Sequence, residues 1–363
     1  MNAIKINLKK RSYNIIAGNN IIDLLGKYIS NLNICTDAYV ITNAAIKKEH
    51  GKALYKTLNE SGFTVRFRSI PDSEKSKSIK MASSIIEDIV RYNRKKHIFI
   101  IAFGGGVIGD LAGFVASVYR RGIPYIQVPT TLLAQVDSSI GGKTAVDLNE
   151  GKNLVGVFYQ PRLVFSDVNL LKTLGAKQVK SGLAEVIKYA IIKDTGLFAY
   201  IEKNYKDILA LKTPPLERII KRCSYIKAKI VQQDEREERG IRTILNFGHT
   251  MGHAIESAGN FKLYNHGEAI ALGMLIACEI SKTLRLLSYK TQQRIEDLVS
   301  AMGLPVRIKK ISTQSIIKAH YHDKKFIGSK NRFVLIKDIG KTVILENIPL
   351  KVIREAIKKK TLE

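Results

Sequence analysis

Three of the seven histidines in this chain, His249, His253 and His266, lie close together in the sequence. His249 and His253 are four residues apart on a predicted helix, so their imidazoles face the same way, as metal-binding histidine pairs do. A lone histidine is more often a packed structural residue, but a cluster beside glycines favours a metal site. The spacing predicts His249 and His253 as a ligand pair. A carboxylate is still needed, and the candidates are Glu185, Glu256 and Glu268.

A charged pair lies inside an apolar helical segment, GLAEVIKYAII, at 182–192. Glu185 and Lys188 are three residues apart, so they share one helix face. Charged side chains in apolar surroundings form either an internal salt bridge or part of a functional site. Residue types alone leave both readings open.

A glycine-rich turn, GGGVIGDLAGF at 104–114, directly follows the apolar strand HIFIIA. Glycines let the backbone approach a ligand, and a helix that starts there directs its free N–H groups at an anion. The turn predicts a nucleotide or phosphate site, with a tight structural turn as the alternative. Its spacing differs from the GxGxxG fingerprint of dinucleotide-binding folds.

The segment 128–156 is dense in glycine, hydroxyl and lysine side chains. Its GGKT stretch is similar to the end of a P-loop, but Asp137 stands where that motif requires glycine, which argues against ATP hydrolysis. We interpret the segment as a glycine-lined loop in which Lys143 and Lys152 serve an anionic or polyhydroxylated ligand. Solvated surface lysines are the alternative.

Two lesser clusters have ordinary structural explanations. PDSEKSKS, at 71–78, precedes a predicted helix and is typical of a helix cap. HDKKF, at 322–326, is typical of a basic surface turn. Neither pattern alone predicts a functional site.

The elements that must position these residues differ between the two halves of the chain. The first half alternates strands and helices, the rhythm of a doubly wound α/β domain. Predicted strands are Ile4–Leu8, Tyr39–Thr42, Thr64–Ile70, His97–Ala102 and Tyr125–Val128, and predicted helices are Ile21–Ile29, Lys52–Ser61 and Ser76–Lys96. In the second half the helices are Ser181–Lys193, Pro215–Gln233, Phe247–Ser257 and Gly267–Leu287, followed by a hairpin of Arg332–Ile336 and Thr342–Leu345.

The fold class predicted from this pattern is α/β. A Rossmann-like domain occupies 1–175, and a mainly helical domain occupies 176–363. A length of 363 residues is ample for two domains with sizeable cores. The absence of a repeat or low-complexity linker favours a broad interface between them.

Composition narrows the functional class. No apolar run is long enough for a membrane span, and the N-terminus lacks the apolar centre of a signal peptide. The three scattered cysteines are typical of a reducing, cytoplasmic protein. The net charge of +27 is spread along the chain without a basic block, which argues against a nucleic-acid partner. A basic cleft would still attract an anionic small molecule.

Taken together and in this order, the motifs resemble the 3-dehydroquinate synthase family over nearly the whole chain. The stretches that carry the resemblance are PDSEKSKS, GGGVIGDLAGF, RRGIPYIQVPTTLLAQVDSSIGGKTAVD, GKNLVGVFYQP, SGLAEVIKYAII, DERE, GIRTILNFGHTMGHAIE and HGEAIALGM. The resemblance implies an NAD-binding α/β domain, a mainly helical metal-binding domain, an active site between them and a homodimer.

The resemblance also implies roles for individual residues. It assigns zinc or cobalt to Glu185, His249 and His266, and it moves His253 from the metal to the substrate. The NAD-binding residues that it implies are Asp72, Glu74, Lys75, Lys77, Gly106, Val107, Ile108, Gly109, Asp110, Thr130, Thr131, Lys143, Lys152, Leu170, Leu171, Lys172 and Thr173. Those implied to meet substrate are Arg121, Asp137, Lys143, Asn153, Lys188, Lys227, Arg242, Asn246, His253, Lys324 and Lys325.

The activity implied is conversion of the phosphorylated sugar acid 3-deoxy-D-arabino-heptulosonate 7-phosphate to 3-dehydroquinate and phosphate. It would proceed by transient oxidation with NAD, phosphate elimination, re-reduction and intramolecular aldol closure. The alternatives are another sugar phosphate cyclase or a metal-dependent polyol dehydrogenase. Two departures from the family pattern stand out. The segment 234–242 is one residue longer, which bears on the register of Lys227, and Ser73 and Ser76 replace the usual residues near the predicted NAD contacts.

Overall fold

The structure, a computed structural model, describes residues 3–92, 97–322 and 331–362. The chain forms two compact units. The first unit comprises Met1–Gly175 and Leu216–Arg236, and the second comprises Ala176–Pro215 and Glu237–Glu363. The sequence had assigned everything after residue 175 to one domain. The stretch Leu216–Arg236 instead belongs to the first unit.

The described residues of the first unit form nine strands. They are β1 (Ile4–Ile6), β2 (Tyr13–Gly18), β3 (Asp37–Asn43), β4 (Thr64–Ile70), β5 (Ile98–Gly104), β6 (Tyr125–Pro129), β7 (Lys143–Leu148), β8 (Gly151–Phe158) and β9 (Leu163–Asp167). Seven of them form one sheet in the order β1-β2-β9-β6-β5-β3-β4, with β1 antiparallel to β2 and the other pairs parallel. The remaining two, β7 and β8, form an antiparallel hairpin.

Twelve helices are described along the chain. They are α1 (Leu25–Ser30), α2 (Ala44–Glu60), α3 (Ile79–Tyr92), α4 (Gly106–Val118), α5 (Ala176–Lys193), α6 (Thr195–Leu209), α7 (Thr213–Gln233), α8 (His249–Ala258), α9 (His266–Thr283), α10 (Tyr289–Ala301), α11 (Thr313–His322) and α12 (Leu350–Lys360). The second unit adds the antiparallel hairpin of β10 (Arg332–Asp338) and β11 (Lys341–Glu346).

The large sheet has a hydrophobic core on each face, because successive side chains of a strand point to opposite faces. One core joins the sheet to α3 and α4 and includes Tyr39, Ile85, Ile100 and Leu111. The other joins it to α1 and α2 and includes Leu25, Val40, Leu54 and Phe99. Both faces are therefore covered, which explains the continuous apolar run of β5.

Helix α7 joins the first unit through its apolar face. Ala228 and Val231 pack with Ile6, Tyr13 and Ile15 of the β1–β2 edge. This contact explains why a helix from the second half of the sequence belongs to the first unit. Local periodicity predicts such a helix but not its partner.

The predicted α/β class is confirmed, and the predicted strands and helices correspond to elements of the structure. The interpretation of 128–156 as a glycine-lined loop is wrong for much of its length. Ala134–Ser138 forms a turn of π-helix, and β7 and β8 form a hairpin from Lys143 onward. In β7, Thr144, Ala145 and Val146 are all buried and Lys143 is exposed, so the strand lacks the regular alternation by which a strand is recognised in a sequence.

Helix α9 is the centre of the second unit, and most of its residues are buried. A helix that is apolar on all sides belongs in a core rather than on a surface. Within the described part of the chain, no helix combines the length and apolar character needed to cross a membrane.

Candidate functional site

Side chains from three helices converge in the second unit. Glu185 lies in the middle of α5, His249 is the first residue of α8, and His266 is the first residue of α9. One ligand atom from each lies within 4.8 Å of the others. Oε1 of Glu185 is 3.6 Å from Nε2 of His249 and 3.4 Å from Nε2 of His266. We call these three residues the three-ligand cluster.

The carboxylate of Glu185 fits a bound cation. The residue is fully buried, and among the described residues neither of its oxygens accepts a hydrogen bond of good geometry. The ammonium of Lys188, which is also buried, forms an ion pair with Oε2. A buried carboxylate is costly without strong partners, which favours a cation beside it. One carboxylate and two imidazoles are ligands that suit zinc or cobalt.

Further contacts orient both imidazoles through their other nitrogens. Nδ1 of His249 lies 3.2 Å from the carbonyl oxygen of Phe247. Nδ1 of His266 lies 3.4 Å from Oε2 of Glu256. Contacts of this kind fix ring orientation and tautomer at metal sites and leave Nε2 for the ion. Burial lowers the pKa of His266, but the carboxylates of Glu185 and Glu256 outweigh it and raise the pKa to about 10.

Glycines bring α8 and α9 unusually close together. A Cβ atom on Gly273 would lie 2.0 Å from the carbonyl oxygen of Gly248 and 2.7 Å from the amide nitrogen of Gly252. Gly248 also adopts a left-handed conformation, with φ of 79°, which favours glycine. Side chains at these positions would push the helices apart. The separation of His249 from His266 therefore depends on residues without side chains.

The start of α9 is fixed by a capping box. The side chain of Asn265 accepts from the amide of Glu268, and the side chain of Glu268 accepts from the amide of Asn265. The Oγ of Ser181 on α5 accepts from the amide of Gly267. These bonds satisfy N–H groups that a helix start leaves unpaired. They also place His266 at a defined position facing α5.

His253 lies beside the three-ligand cluster but outside it. Its ring centroid is 5.4 Å from that of His249 and 6.4 Å from that of His266. The metal pair predicted from spacing, His249 with His253, is thus not the convergent set. A spacing of four residues places two imidazole rings on one helix face. Only the packing of α5 and α9 against α8 adds Glu185 and His266.

Two other predicted substrate residues of the second unit lie just before α8. Arg242 and Asn246 belong to a short 3-10 helix, Ile241–Asn246. Arg242 is buried, and its Nε is 3.3 Å from Oε1 of Glu237. The predicted pair Lys324 and Lys325 lies outside the described residues.

The first unit holds the glycine-rich turn between β5 and α4. Gly105 is the N-cap of α4 and has no side chain to occupy the amides of the first turn. A Cβ on Gly105 would lie 3.0 Å from Cγ2 of Thr131, and one on Gly106 would lie 3.2 Å from Oγ of Ser138. The backbone is thus bare at a helix N-terminus, the local arrangement that suits a pyrophosphate.

The other predicted NAD residues lie on four segments of the same unit, one of which is the β7–β8 hairpin with Lys143 and Lys152. Thr130 and Thr131 follow β6, and the amide of Thr130 donates to the carbonyl oxygen of Gly104. The group Leu170, Leu171, Lys172 and Thr173 forms part of a 3-10 helix after β9. Oγ1 of Thr173 is 2.9 Å from Nε2 of His50, a contact that sequence reasoning did not predict.

The turn 71–78 carries predicted NAD residues of two kinds. Asp72, Glu74 and Lys75 are exposed, whereas Lys77 is buried. The Oγ of Ser73 accepts from the amide of Lys75, as expected for the predicted cap. Nζ of Lys152 lies 3.8 Å from Oε1 of Glu74. The exposed members are available to a ligand, and Lys77 belongs to an internal network.

Asp137 and Lys227 form an ion pair inside the first unit. Nζ of Lys227, on α7, also donates to the carbonyl oxygen of Asp137 at 2.7 Å. The π-helical turn that contains Asp137 is thereby tied to α7. The longer segment 234–242 follows α7 and leaves Lys227 facing Asp137.

Lys143 and Arg121 complete the predicted set of the first unit. Lys143 is the exposed first residue of β7. Arg121 is exposed and has a positive φ of 63°, next to Arg120 with 49°. Left-handed conformations are uncommon for such residues, so their backbone is held by the surrounding structure.

Models of two parts of one protein family match the chain. The 3-dehydroquinate synthase N-terminal model matches residues 67–181, and the 3-dehydroquinate synthase C-terminal model matches residues 182–326. Among solved structures, 2-deoxy-scyllo-inosose synthase complexed with carbaglucose-6-phosphate, NAD+ and Co2+ has a TM-score of 0.89 and 26% sequence identity, over 99% of this chain and 100% of that one.

Curated relatives match over nearly their whole length. The 3-dehydroquinate synthase of Desulforamulus reducens is 44% identical over 349 residues, covering 96% of this chain and 97% of that protein. The 3-dehydroquinate synthase of Thermoanaerobacter pseudethanolicus is 43% identical over 357 residues, covering 98% of this chain and 100% of that protein. The chain belongs to the 3-dehydroquinate synthase family.

Proposed function

We propose that this enzyme converts 3-deoxy-D-arabino-heptulosonate 7-phosphate to 3-dehydroquinate and inorganic phosphate, a lyase reaction. The observation that carries the proposal is the convergence of Glu185, His249 and His266 in a chain that is 44% identical to a curated 3-dehydroquinate synthase. The identity of the substrate is inferred from family membership, and the three-ligand cluster accounts for the metal that the reaction needs.

The three-ligand cluster would hold zinc or cobalt. Three protein ligands leave coordination positions for a substrate, as catalytic metal sites require. The glycine-rich turn Gly106–Asp110, with Thr130, Thr131 and the exposed residues of the turn 71–78, would hold NAD. When bound, NAD accepts and returns a hydride, and the metal ion stabilises negative charge on a substrate oxygen.

The chain's own residues supply anion binding. Lys143 and Lys152 are exposed on the β7–β8 hairpin, where their ammonium groups can bind phosphate or carboxylate oxygens. Arg242 is buried, and its planar guanidinium suits bidentate binding of a carboxylate. Arg121 and Lys227 complete the proposed set of cations. Asp137, as the partner of Lys227, orients that ammonium.

His253, Asn246 and Lys188 would act around the metal. His253 is partly exposed and one helical turn from His249, so its imidazole can take or return a proton beside the ligands. The ammonium of Lys188 neutralises the carboxylate of Glu185 and holds that side chain in place. Asn246 offers an amide that can donate to a substrate oxygen and also accept from a hydroxyl.

The deciding experiment incubates the protein with the heptulosonate phosphate, NAD and zinc, and measures phosphate release and product identity together. Formation of 3-dehydroquinate without net NADH supports the proposal. A parallel incubation uses glucose 6-phosphate, whose carbocyclic analogue is bound in the inosose synthase structure. Turnover of that sugar alone would indicate a different cyclase, and net NADH formation from a polyol would indicate a dehydrogenase.

We also propose that the enzyme is a homodimer and works in the cytoplasm. The dimer follows from the family resemblance, and a reducing compartment is supported by the three cysteines, Cys35, Cys223 and Cys278, which form no disulfide with one another. Light scattering coupled to size exclusion gives the mass of the assembly. A monomer at micromolar concentration would contradict the first part, and recovery of the protein outside the cytoplasmic fraction would contradict the second.

A further inference from the structure

Lys77 is buried to an extent unusual for lysine, with 4% of its surface exposed. Its Nζ donates to Oδ2 of Asp110 at 2.5 Å and also to Oδ1 of Asn153. An ammonium is costly to remove from water unless strong acceptors replace the water. Here a carboxylate and an amide oxygen take that place, and they come from two different segments.

The main chain of Lys77 reaches the same segments. Its carbonyl oxygen accepts from the amide of Asp147 on β7 at 2.7 Å. Oδ1 of Asp147 in turn accepts from the amide of Asn153 on β8 at 2.7 Å. Asn153 has a left-handed conformation, with φ of 57°, that these bonds help to hold. Lys77 is therefore bonded to both strands of the hairpin and to the first turns of α4.

The β7–β8 hairpin needs such anchors. Its two strands pair with each other in a separate sheet, and most of β8 is exposed. A two-stranded hairpin is marginally stable by itself in water. One face packs closely on α4, since a Cβ on Gly113 would lie 2.4 Å from Cγ2 of Thr144. That packing holds β7, and the Lys77 network extends the attachment to β8.

We propose that Lys77 is a positioning residue that fixes the β7–β8 hairpin relative to the N-terminus of α4. Lys143 and Lys152 lie at opposite ends of the hairpin, and without this anchor they would be held less firmly relative to Gly106 and the helix start. The purpose of this positioning rests on the proposed function: it lets the N-terminus of α4 and the hairpin lysines bind the NAD phosphates at the same time. The mechanical role of Lys77 stands without that function.

Hydrogen–deuterium exchange of the ligand-free protein tests the mechanical role. The variant Lys77→Met keeps an unbranched apolar stem one atom shorter than that of lysine but removes the ammonium. Amides of residues 143–158 should then exchange about tenfold faster, because a charge-assisted anchor is lost. Lys80→Met, at an exposed lysine of α3, is the matched control and should leave the hairpin unchanged. Equal exchange in both variants would overturn the proposal.

A second variant covers the case in which Lys77→Met fails to fold. Asn153→Ala removes one acceptor from an exposed strand and leaves the Lys77–Asp110 pair intact. Faster exchange confined to 151–158 is expected. Unchanged exchange there would show that Lys77 does not hold β8, and it would contradict the proposal independently of the first variant.

Calorimetric titration with NAD separates this proposal from the proposed function. In wild-type protein, no NAD binding would sink the proposed function, while the exchange results would still decide the role of Lys77. If wild type binds NAD, Lys77→Met should bind it about tenfold more weakly, because a hairpin lysine that is no longer held in place loses its charge-assisted contact with NAD. Lys80→Met should bind NAD as wild type does. If the hairpin amides of Lys77→Met exchange faster but its NAD affinity equals that of wild type, the positioning does not serve NAD binding.

Discussion

The two units of this chain position functional side chains in opposite ways. In the second unit, Glu185, His249 and His266 project from helices, and two of them are the first residues of their helices. In the first unit, the predicted NAD residues lie at the start of α4, on short 3-10 and turn segments and on a hairpin, and ion pairs and hydrogen bonds join several of these segments. One arrangement is set by backbone packing and the other by a polar network.

This difference matches the tolerance of each kind of ligand. A metal ion accepts its ligands only within a few tenths of an ångström, so rigid helices joined through glycines are suited to hold them. A lysine meets an anion as a flexible point charge and tolerates movement of its backbone. The second unit should therefore respond sharply to small changes in geometry, and the first unit should respond gradually.

The largest expected effect follows from removing one ligand of the three-ligand cluster. Glu185→Gln keeps the shape but removes the charge, so zinc affinity should fall at least about a thousandfold, and phosphate release with it. Competition with a chromophoric chelator measures the affinity. Exhaustive chelation of wild type should abolish activity, and added zinc or cobalt should restore it.

His97→Ala is the matched control for that measurement, because His97 is exposed and far along the sequence from the cluster. It should leave zinc affinity unchanged. Full activity of metal-free wild type would contradict the metal assignment, and with it the contrast between the two units.

The next effect concerns the contact between α8 and α9. Gly273→Ala places a methyl group 2.0 Å from the carbonyl oxygen of Gly248, so the helices must separate. The free energy of unfolding should fall by about 3 kcal/mol, as overpacking in a core does. Urea denaturation measures it.

Gly175→Ala provides the comparison, since a Cβ there meets no atom within 4 Å. It should change stability by less than about 1 kcal/mol, in the stabilising direction if at all. Equal effects of the two substitutions would show that close packing of α8 and α9 is not what fixes the cluster.

A smaller effect tests the orientation of His266. Glu256→Gln removes the carboxylate that faces Nδ1 of His266, and zinc affinity should fall about 10–100-fold. Glu355→Gln, at an exposed position of α12, is the control and should have no effect. Unchanged zinc affinity in the first variant would mean that backbone packing alone orients the ring.

The smallest effect is expected in the first unit. Lys152→Ala removes an exposed ion pair with Glu74, so the free energy of unfolding should change by less than about 0.5 kcal/mol. Phosphate release should nevertheless fall about tenfold, because one charge-assisted contact to an anion is lost. Lys48→Ala, on the exposed side of α2, should leave both quantities unchanged. Activity equal to wild type in Lys152→Ala would contradict the role of that lysine.

Local patterns predicted the elements well and their partners poorly. The apolar run of β5 and the buried face of α9 follow from periodicity, and the structure has both. The β7–β8 hairpin escaped prediction because neither strand alternates between buried and exposed residues and the segment is rich in glycine and polar residues. Likewise, nothing in the helical pattern of 215–233 indicates that α7 packs against β1 and β2.

The candidate metal site shows the same limit. Spacing along one helix selects His249 and His253, which are neighbours in sequence. The convergent set needs Glu185 from α5 and His266 from α9, and their approach depends on tertiary contacts such as Gly248 against Gly273. The family pattern names the same three residues, a set that local chemistry alone does not reveal.

The capping box at Asn265 and Glu268 has a consequence for how this region can vary in length. His266 takes its position from the helix start and from Ser181, and the connection after Gly259 takes no part in these bonds. That connection runs over the surface at Asn260–Leu263. Insertions there add only a slowly growing loop-closure entropy. The connection between α8 and α9 is therefore a place where a reporter peptide or a few extra residues can be accommodated while the metal ligands stay in register.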